Sequence, residues 1–155
     1  EAATDAAERE RLWRTRHTMF FAANAANPGL ESLVTDVAVP ISELPTAVTT
    51  ALAECAAAGF EANLVGHVGD GNFHLNLYLP EDPAARAAAK GVVDRLTERA
   101  LAVGGTATGE HGVGLRKLKY MEREHGTSLA LMRSIKQLLD PAGIMNPGKK
   151  LPEAS

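Results

Sequence analysis

The residues best suited to chemistry fall in a few short segments. The run Gly66-His67-Val68-Gly69-Asp70-Gly71-Asn72-Phe73-His74-Leu75-Asn76 alternates polar and apolar side chains around Asp70-Gly71. That dipeptide favours a hairpin turn, because glycine reaches positive φ without steric cost. A two-residue turn places His67 opposite His74, and a four-residue loop closing Val68 on Phe73 gives the same register. The two imidazoles are then cross-strand neighbours, with Cβ atoms roughly 5 Å apart. Asn72 and Asn76 join their face, while Leu64, Val68, Phe73, Leu75 and Leu77 take the other. Neutral imidazole ligates a divalent ion at about 2.0–2.1 Å. On geometry alone the pair either shares a metal or is an exposed hairpin pair, and both readings stay open. Gly66, Gly69 and Gly71 would let a ligand approach closely, although turn chemistry accounts for part of that pattern.

A second segment, Gly109-Glu110-His111-Gly112-Val113-Gly114, reads as a turn between a short strand and a helix. Glu110 would add a carboxylate to the imidazoles. Two histidines and one carboxylate leave coordination positions open, as catalytic rather than structural metal sites do. Equally, Glu110 can simply start a helix, where negative charge is favoured. His111 follows it in the chain and points differently. The reference pKa of imidazole lies near neutrality, which suits a general base. The glycines do not match G-x-G-x-x-G, so a nicotinamide site is not read here. Arg14 and Arg16 are either solvated helix residues or a bidentate grip on a carboxylate. Asn146-Pro147-Gly148-Lys149 is either a plain turn or a lysine reaching a phosphate or carboxylate. His17 and His125 read as surface residues, and Cys55 as a small buried apolar one.

The elements that must position these groups follow from periodicity and punctuation. Residues 3–26 read as a helix stopped by Pro28-Gly29. Leu33–Pro40 is a β-branched run that suits a strand. Ser42 is placed to cap a second helix that has Pro45 in its first turn and ends at Gly59. Two strands, 61–69 and 72–79, flank the turn. Asp82-Pro83 opens an alanine-rich helix reaching about Val103, and Thr106–Thr108 reads as a short strand. The glycine-rich turn is expected to lead into a helix ending near Gly126. A last helix is capped by Thr127 or Ser128 and stops at Asp140-Pro141. This order predicts an α+β fold, an antiparallel sheet with helices packed on one face.

At 155 residues with 45% hydrophobic content, the chain is about one domain and can bury a core. Its 16 Lys+Arg against 19 Asp+Glu give a net charge of −3, with no electrostatic case for nucleic acid or an anionic membrane. A single cysteine excludes an internal disulfide framework and a thiolate zinc cluster. No apolar run is long enough to span a bilayer.

Taken together, GHVGDGNFHLN (66–76) and GEHGVG (109–114) resemble the C-terminal part of the FAD-linked oxidases. These are the group of glycolate oxidase, D-lactate dehydrogenase and D-2-hydroxyglutarate dehydrogenase. LWRTRH (12–17), TDVAVPISELP (35–45) and DPAGIMNPGKKL (140–151) support the likeness in the same order. The resemblance implies residues 1–155 as one C-terminal domain fragment: a ferredoxin-like half of a cap domain plus C-terminal helices, without the family's N-terminal FAD-binding domain. It implies a divalent metal (zinc, manganese or iron) on His67, His74 and Glu110, chelating a D-2-hydroxy acid such as glycolate or D-lactate. His111 resembles the base that takes the hydroxyl proton while hydride passes to FAD. Arg16 matches the arginine on the substrate carboxylate, and Asn76 an amide facing substrate or flavin. Asn146 and Lys149 are further candidates for the cofactor side. The fragment alone is expected to be inactive. Its expected partners are its own FAD domain, the hydroxy acid, an electron acceptor of unknown identity, no nucleic acid, and further copies of itself. A cytoplasmic location, peripheral to the inner face of a membrane, is expected. The competing readings are a mononuclear metal-dependent oxygenase, which uses the same donor set, and a non-catalytic metal-binding or interaction module.

Overall fold

The structure is a computed structural model that describes residues 3–152. Helix α1 (Ala6–Ala25) begins at Asp5, whose carboxylate accepts from Glu8 N at 2.8 Å, while the Glu8 carboxylate accepts from Thr4 N at 2.8 Å. These reciprocal bonds satisfy amides that a first turn leaves unpaired. The apolar side chains of α1 stay on the surface: none of its residues is buried, and Trp13 is 58% exposed.

The sheet is built around β4 (Asn72–Leu79). β1 (Glu31–Val34) and β2 (Val37–Ala38) run along one side of it and β3 (Glu61–His67) along the other, all antiparallel. Val34↔Asn76 and Val37↔Phe73 lie on one register, so β1 and β2 are a single strand interrupted at Thr35-Asp36. There Thr35 N donates to Leu75 O at 2.9 Å, and Leu75 N donates to the Thr35 hydroxyl at 2.9 Å. A side chain thus closes the ladder where a backbone carbonyl would otherwise accept.

Alternation on β4 sends Phe73, Leu75, Leu77 and Leu79 into the core, all at most 1% exposed. They pack with Val37 and with α2 (Leu44–Ala57) and α3 (Pro83–Ala102). Cys55 is buried in that layer, as expected. Asp82 caps α3 by accepting from Ala85 N at 2.7 Å. Glu54 on α2 bridges Arg95 (2.9 Å) and Arg99 on α3. Burial pushes the Glu54 carboxyl up, but the two guanidiniums outweigh it and hold the group below its ordinary range.

Several local expectations are corrected. The hairpin loop is the four residues Val68–Gly71, a 3-10 turn closed by Gly71 at φ 71°, so His67 pairs with Asn72 and His74 with Val65. This register differs by two from the expected one and therefore preserves the face of every side chain. Val68 consequently sits in the loop, 68% exposed, rather than in the core. Gly66 and Gly71 serve backbone packing: an added Cβ would lie 2.5 Å from Asn72 O and 2.0 Å from Val39 O, respectively. Ser42 caps nothing and lies in a 3-10 turn, Ile41–Glu43, ahead of α2. The strand expected at Thr106–Thr108 is a single bridge, Ala38↔Thr106. No helix follows Gly114 directly. The chain stays irregular to a 3-10 turn at Leu118–Tyr120, and then α4 (Met121–His125) and α5 (Ser128–Leu139) follow. That irregular segment has a positional consequence, because it lies against the face of β4 expected to be open. It covers Asn72 and His74; Asn76 and Tyr78 on the same face are buried too.

Candidate metal centre

His67 closes β3 and His74 stands on β4. The diagonal between them leaves their rings 6.2 Å apart, edge to face. The segment after Gly109 brings Glu110 to both. Glu110 Oε1 lies 2.7 Å from His74 Nε2 and 3.5 Å from His67 Nε2. The His111 ring stacks on His74, centroids 4.9 Å apart and 9° from parallel, with its Nε2 4.0 Å from the same Glu110 oxygen. Neighbours in sequence ordinarily diverge; here the loop bends so that both side chains meet the same imidazole.

His74 is the anchored member, its side chain 9% exposed. Its Nδ1 lies 3.1 Å from Thr35 O, an atom that only accepts, so Nδ1 carries a hydrogen there. In neutral imidazole this leaves the Nε2 lone pair facing a carboxylate oxygen. Two acceptors in contact call for a cation between or beside them, either a metal ion or the proton of an imidazolium. Ligand-type atoms of His67, His74 and Glu110 all lie within 4.8 Å of one another, with Glu110 Oε1 at 2.7 and 3.5 Å from the two imidazole nitrogens, close enough for the three to hold one ion. A metal-binding histidine commonly donates its other N–H to a carbonyl in this way. Asn72 Oδ1, buried opposite His67, has no donor among the described residues. Its amide cannot turn over, because Nδ2 already donates to Asp36 Oδ1 at 2.9 Å and Val37 O at 3.0 Å. The donor set therefore fits a divalent ion with open positions. Glu110 and His111 side chains are about half exposed, so a small ligand has access.

Asp36, Asn72 and Lys117 frame the cluster, and the sequence reading assigns no role to Asp36 or Lys117. Asp36 accepts from Asn72 Nδ2, from Glu110 N (3.0 Å), from His111 N (2.9 Å) and from Lys117 Nζ (2.9 Å). Burial, the largest single influence, would raise its pKa, but the Lys117 ammonium and these donors together hold it at about 2. Asp36, His74 and His111 also bring ligand-type atoms close together. With its oxygens committed to four donors, Asp36 is a support rather than a ligand. The signal available in the sequence is an acid in the middle of the β-branched run LVTDVAVP, on the strand face shared with His74.

No hydrogen bond or ion pair among the described residues joins the remaining candidates to this cluster. Arg16 is exposed on α1 and no hydrogen bond or ion pair among the described residues ties it to the site; Arg14 pairs with Glu10 at 3.1 Å. The amide of Asn76 is engaged within the sheet, accepting from Ser32 Oγ at 2.6 Å and donating to the Tyr78 hydroxyl at 2.5 Å. Asn146 (φ 51°) and Lys149 are exposed in a turn closed by Lys149 N donating to Asn146 O at 3.3 Å. His125 is half-buried, 3.8 Å from Glu124, and His17 is exposed. No described helix is long and apolar enough to cross a membrane.

Comparison with known proteins finds relatives over nearly the whole chain. The chain is 40% identical, over 93% of its length, to the mitochondrial D-lactate dehydrogenase [cytochrome] of Arabidopsis thaliana. It is 38% identical, over 92% of its length, to the D-2-hydroxyglutarate dehydrogenase of Xanthomonas citri pv. viticola. It is 31% identical, over 97% of its length, to glycolate oxidase subunit GlcD of Escherichia coli. It spans 26%, 31% and 30% of those proteins, respectively. The family model described as FAD linked oxidases, C-terminal domain, matches residues 1–150, and the chain belongs to that family.

Proposed function

We propose that this chain supplies the metal site and the general base of a flavoprotein that oxidises a D-2-hydroxy acid, such as D-lactate or glycolate, to the 2-oxo acid. The observation that carries the reading is the meeting of His67, His74 and Glu110 at one oxygen, with His111 stacked alongside. His67, His74 and Glu110 would hold a divalent ion (zinc, manganese or iron), which supplies Lewis-acid polarisation of the substrate hydroxyl and carboxylate. His74 is oriented by its Nδ1–H on Thr35 O. His111, exposed and next to Glu110, takes the hydroxyl proton on an imidazole nitrogen. The FAD of the complete protein would accept the hydride from C2. Arg16 belongs to the proposal as a substrate-facing group, and Asn146 and Lys149 as groups toward the cofactor, once further parts of the protein are in place; Asn76 joins them by exchanging its bonds to Ser32 and Tyr78 for substrate or flavin. A cytoplasmic location at the inner face of a membrane is part of the same reading.

The test is metal analysis with anomalous scattering on the full-length protein. One divalent ion is expected at His67, His74 and Glu110, and it should be lost in His74→Ala. In His111→Ala, FAD stays bound and turnover disappears. Absence of an ion above background would favour a non-catalytic module, and normal turnover in His111→Ala would remove that residue from the mechanism.

A further inference from the structure

The chain from Gly109 to Lys117 carries both Glu110 and His111 without regular secondary structure. Something must hold these two residues against the hairpin, since their side chains are 47% and 52% exposed and cannot be fixed by packing alone. The contacts that do so converge on one carboxylate, whose side chain is 1% exposed. Oδ1 of Asp36 accepts from Asn72 Nδ2 at 2.9 Å and Glu110 N at 3.0 Å. Oδ2 accepts from His111 N and from Lys117 Nζ, each at 2.9 Å. Lys117 Nζ also donates to Asp36 O at 2.8 Å, which ties down the far end of the segment. At the near end, a Cβ on Gly109 would come 2.4 Å from Asp36 Oδ1, so the backbone lies directly on the carboxylate.

We propose that Asp36 is a positioning residue: it clamps the backbone of Glu110 and His111, and so sets the metal ligand and the base in register with His67 and His74. The assignment rests on the reading of Glu110 as a ligand. Only an ionised carboxylate accepts from all of these donors at once. Asparagine has the same shape but keeps one acceptor oxygen, and its NH2 would confront amide or ammonium hydrogens. A support of this kind typically tunes metal affinity by about 10–100-fold.

The experiment measures two quantities on the full-length protein with Asp36→Asn: Mn²⁺ affinity by calorimetry, and hydrogen exchange of the amides of Glu110 and His111. Mn²⁺ binding weakened about 10–100-fold, with those two amides exchanging at least about ten-fold faster, supports the clamp. Val92→Ala, which thins the core behind the opposite sheet face, is the control for general destabilisation. It should lower Tm while leaving Mn²⁺ affinity within about two-fold. Wild-type affinity in Asp36→Asn, or an equal loss in Val92→Ala, overturns the proposal. If Asp36→Asn does not fold, Lys117→Met takes its place, since it frees the far end of the segment and leaves the buried carboxylate without its cation, so that the amide bonds weaken as well. Unchanged Mn²⁺ affinity and unchanged exchange in that variant overturn the clamp. If the wild-type protein binds no Mn²⁺, the metal reading fails by itself. The clamp is then decided by exchange, and unchanged rates at Glu110 and His111 in Asp36→Asn overturn it.

Discussion

Replacing Gly109 by alanine tests the packing that brings the acid-bearing segment onto the sheet. The φ of Gly109 is not in the left-handed region, so the conformation itself is open to alanine. Gly→Ala at such a position ordinarily stabilises by about 0.4–1 kcal/mol through the unfolded chain. Space decides the sign here. The new Cβ would lie 1.8 Å from Asn72 Nδ2 and 2.4 Å from Asp36 Oδ1, both buried. Relieving the overlap means moving the segment outward, at roughly 1–3 kcal/mol for overpacking. It also means breaking hydrogen bonds to a buried charge, each worth roughly 1.5–3 kcal/mol. The net expected loss is about 3 kcal/mol, against a total of roughly 5–15 kcal/mol for a domain. At a urea slope of about 2 kcal/mol/M this moves the midpoint down by about 1.5 M. The assay is urea unfolding followed by circular dichroism, with Mn²⁺ calorimetry on the same samples. A midpoint within about 0.3 M of wild type, with unaltered Mn²⁺ binding, would refute the close-packing argument.

Other perturbations separate the site from its scaffold. Asp36 is held at about 2 when folded, below its ordinary 3.8. Its ionised form is therefore favoured by folding, and about 2 kcal/mol of stability is present above pH 4 and lost as pH falls toward 2. Urea unfolding of wild type and Asp36→Asn should show that gap shrinking across this window; a gap independent of pH would contradict it. Leu77→Ala removes a fully buried β4 side chain and should cost about 2–5 kcal/mol in urea unfolding, with Mn²⁺ affinity kept. Asp82→Ala deletes the α3 cap and should cost about 0.5–2 kcal/mol, measured by thermal unfolding, again with Mn²⁺ affinity kept.

Much of this is legible in the sequence, for identifiable reasons. Asp82-Pro83 marks the start of α3 because both residues act locally, one as acceptor and one by its fixed φ. The face shared by His67 and His74 is legible because strand alternation survives a register change of two. The register itself is not, since it depends on whether the loop closes at Val68 or at His67, and Gly71 packed on Val39 O settles that through a long-range contact. The helix expected after Gly114 fails to form for a related reason. Only one helical bond closes, Lys117 N on Val113 O at 3.2 Å, while Lys117 Nζ is tied to Asp36, and a tertiary ion pair is invisible to local periodicity. The same blindness hides Asp36, whose role exists only once strands and loop meet. The apolar spacing of α1 is real, but spacing alone cannot say whether a stripe is covered.

The three proposed ligands come from parts of the chain that lie at very different separations. His67 and His74 share one hairpin, and their separation along the chain is short, so a nascent or refolding chain can bring the two rings together on the microsecond scale typical of such ribbons. Glu110 lies beyond α3 in the chain and reaches the pair where Gly109 packs against Asn72 and Asp36. On the proposed metal reading, a chain whose loop has not docked owns a two-toothed pincer that lacks its third tooth. Ions present from the start would meet a weak, open grip that tightens as the topology completes.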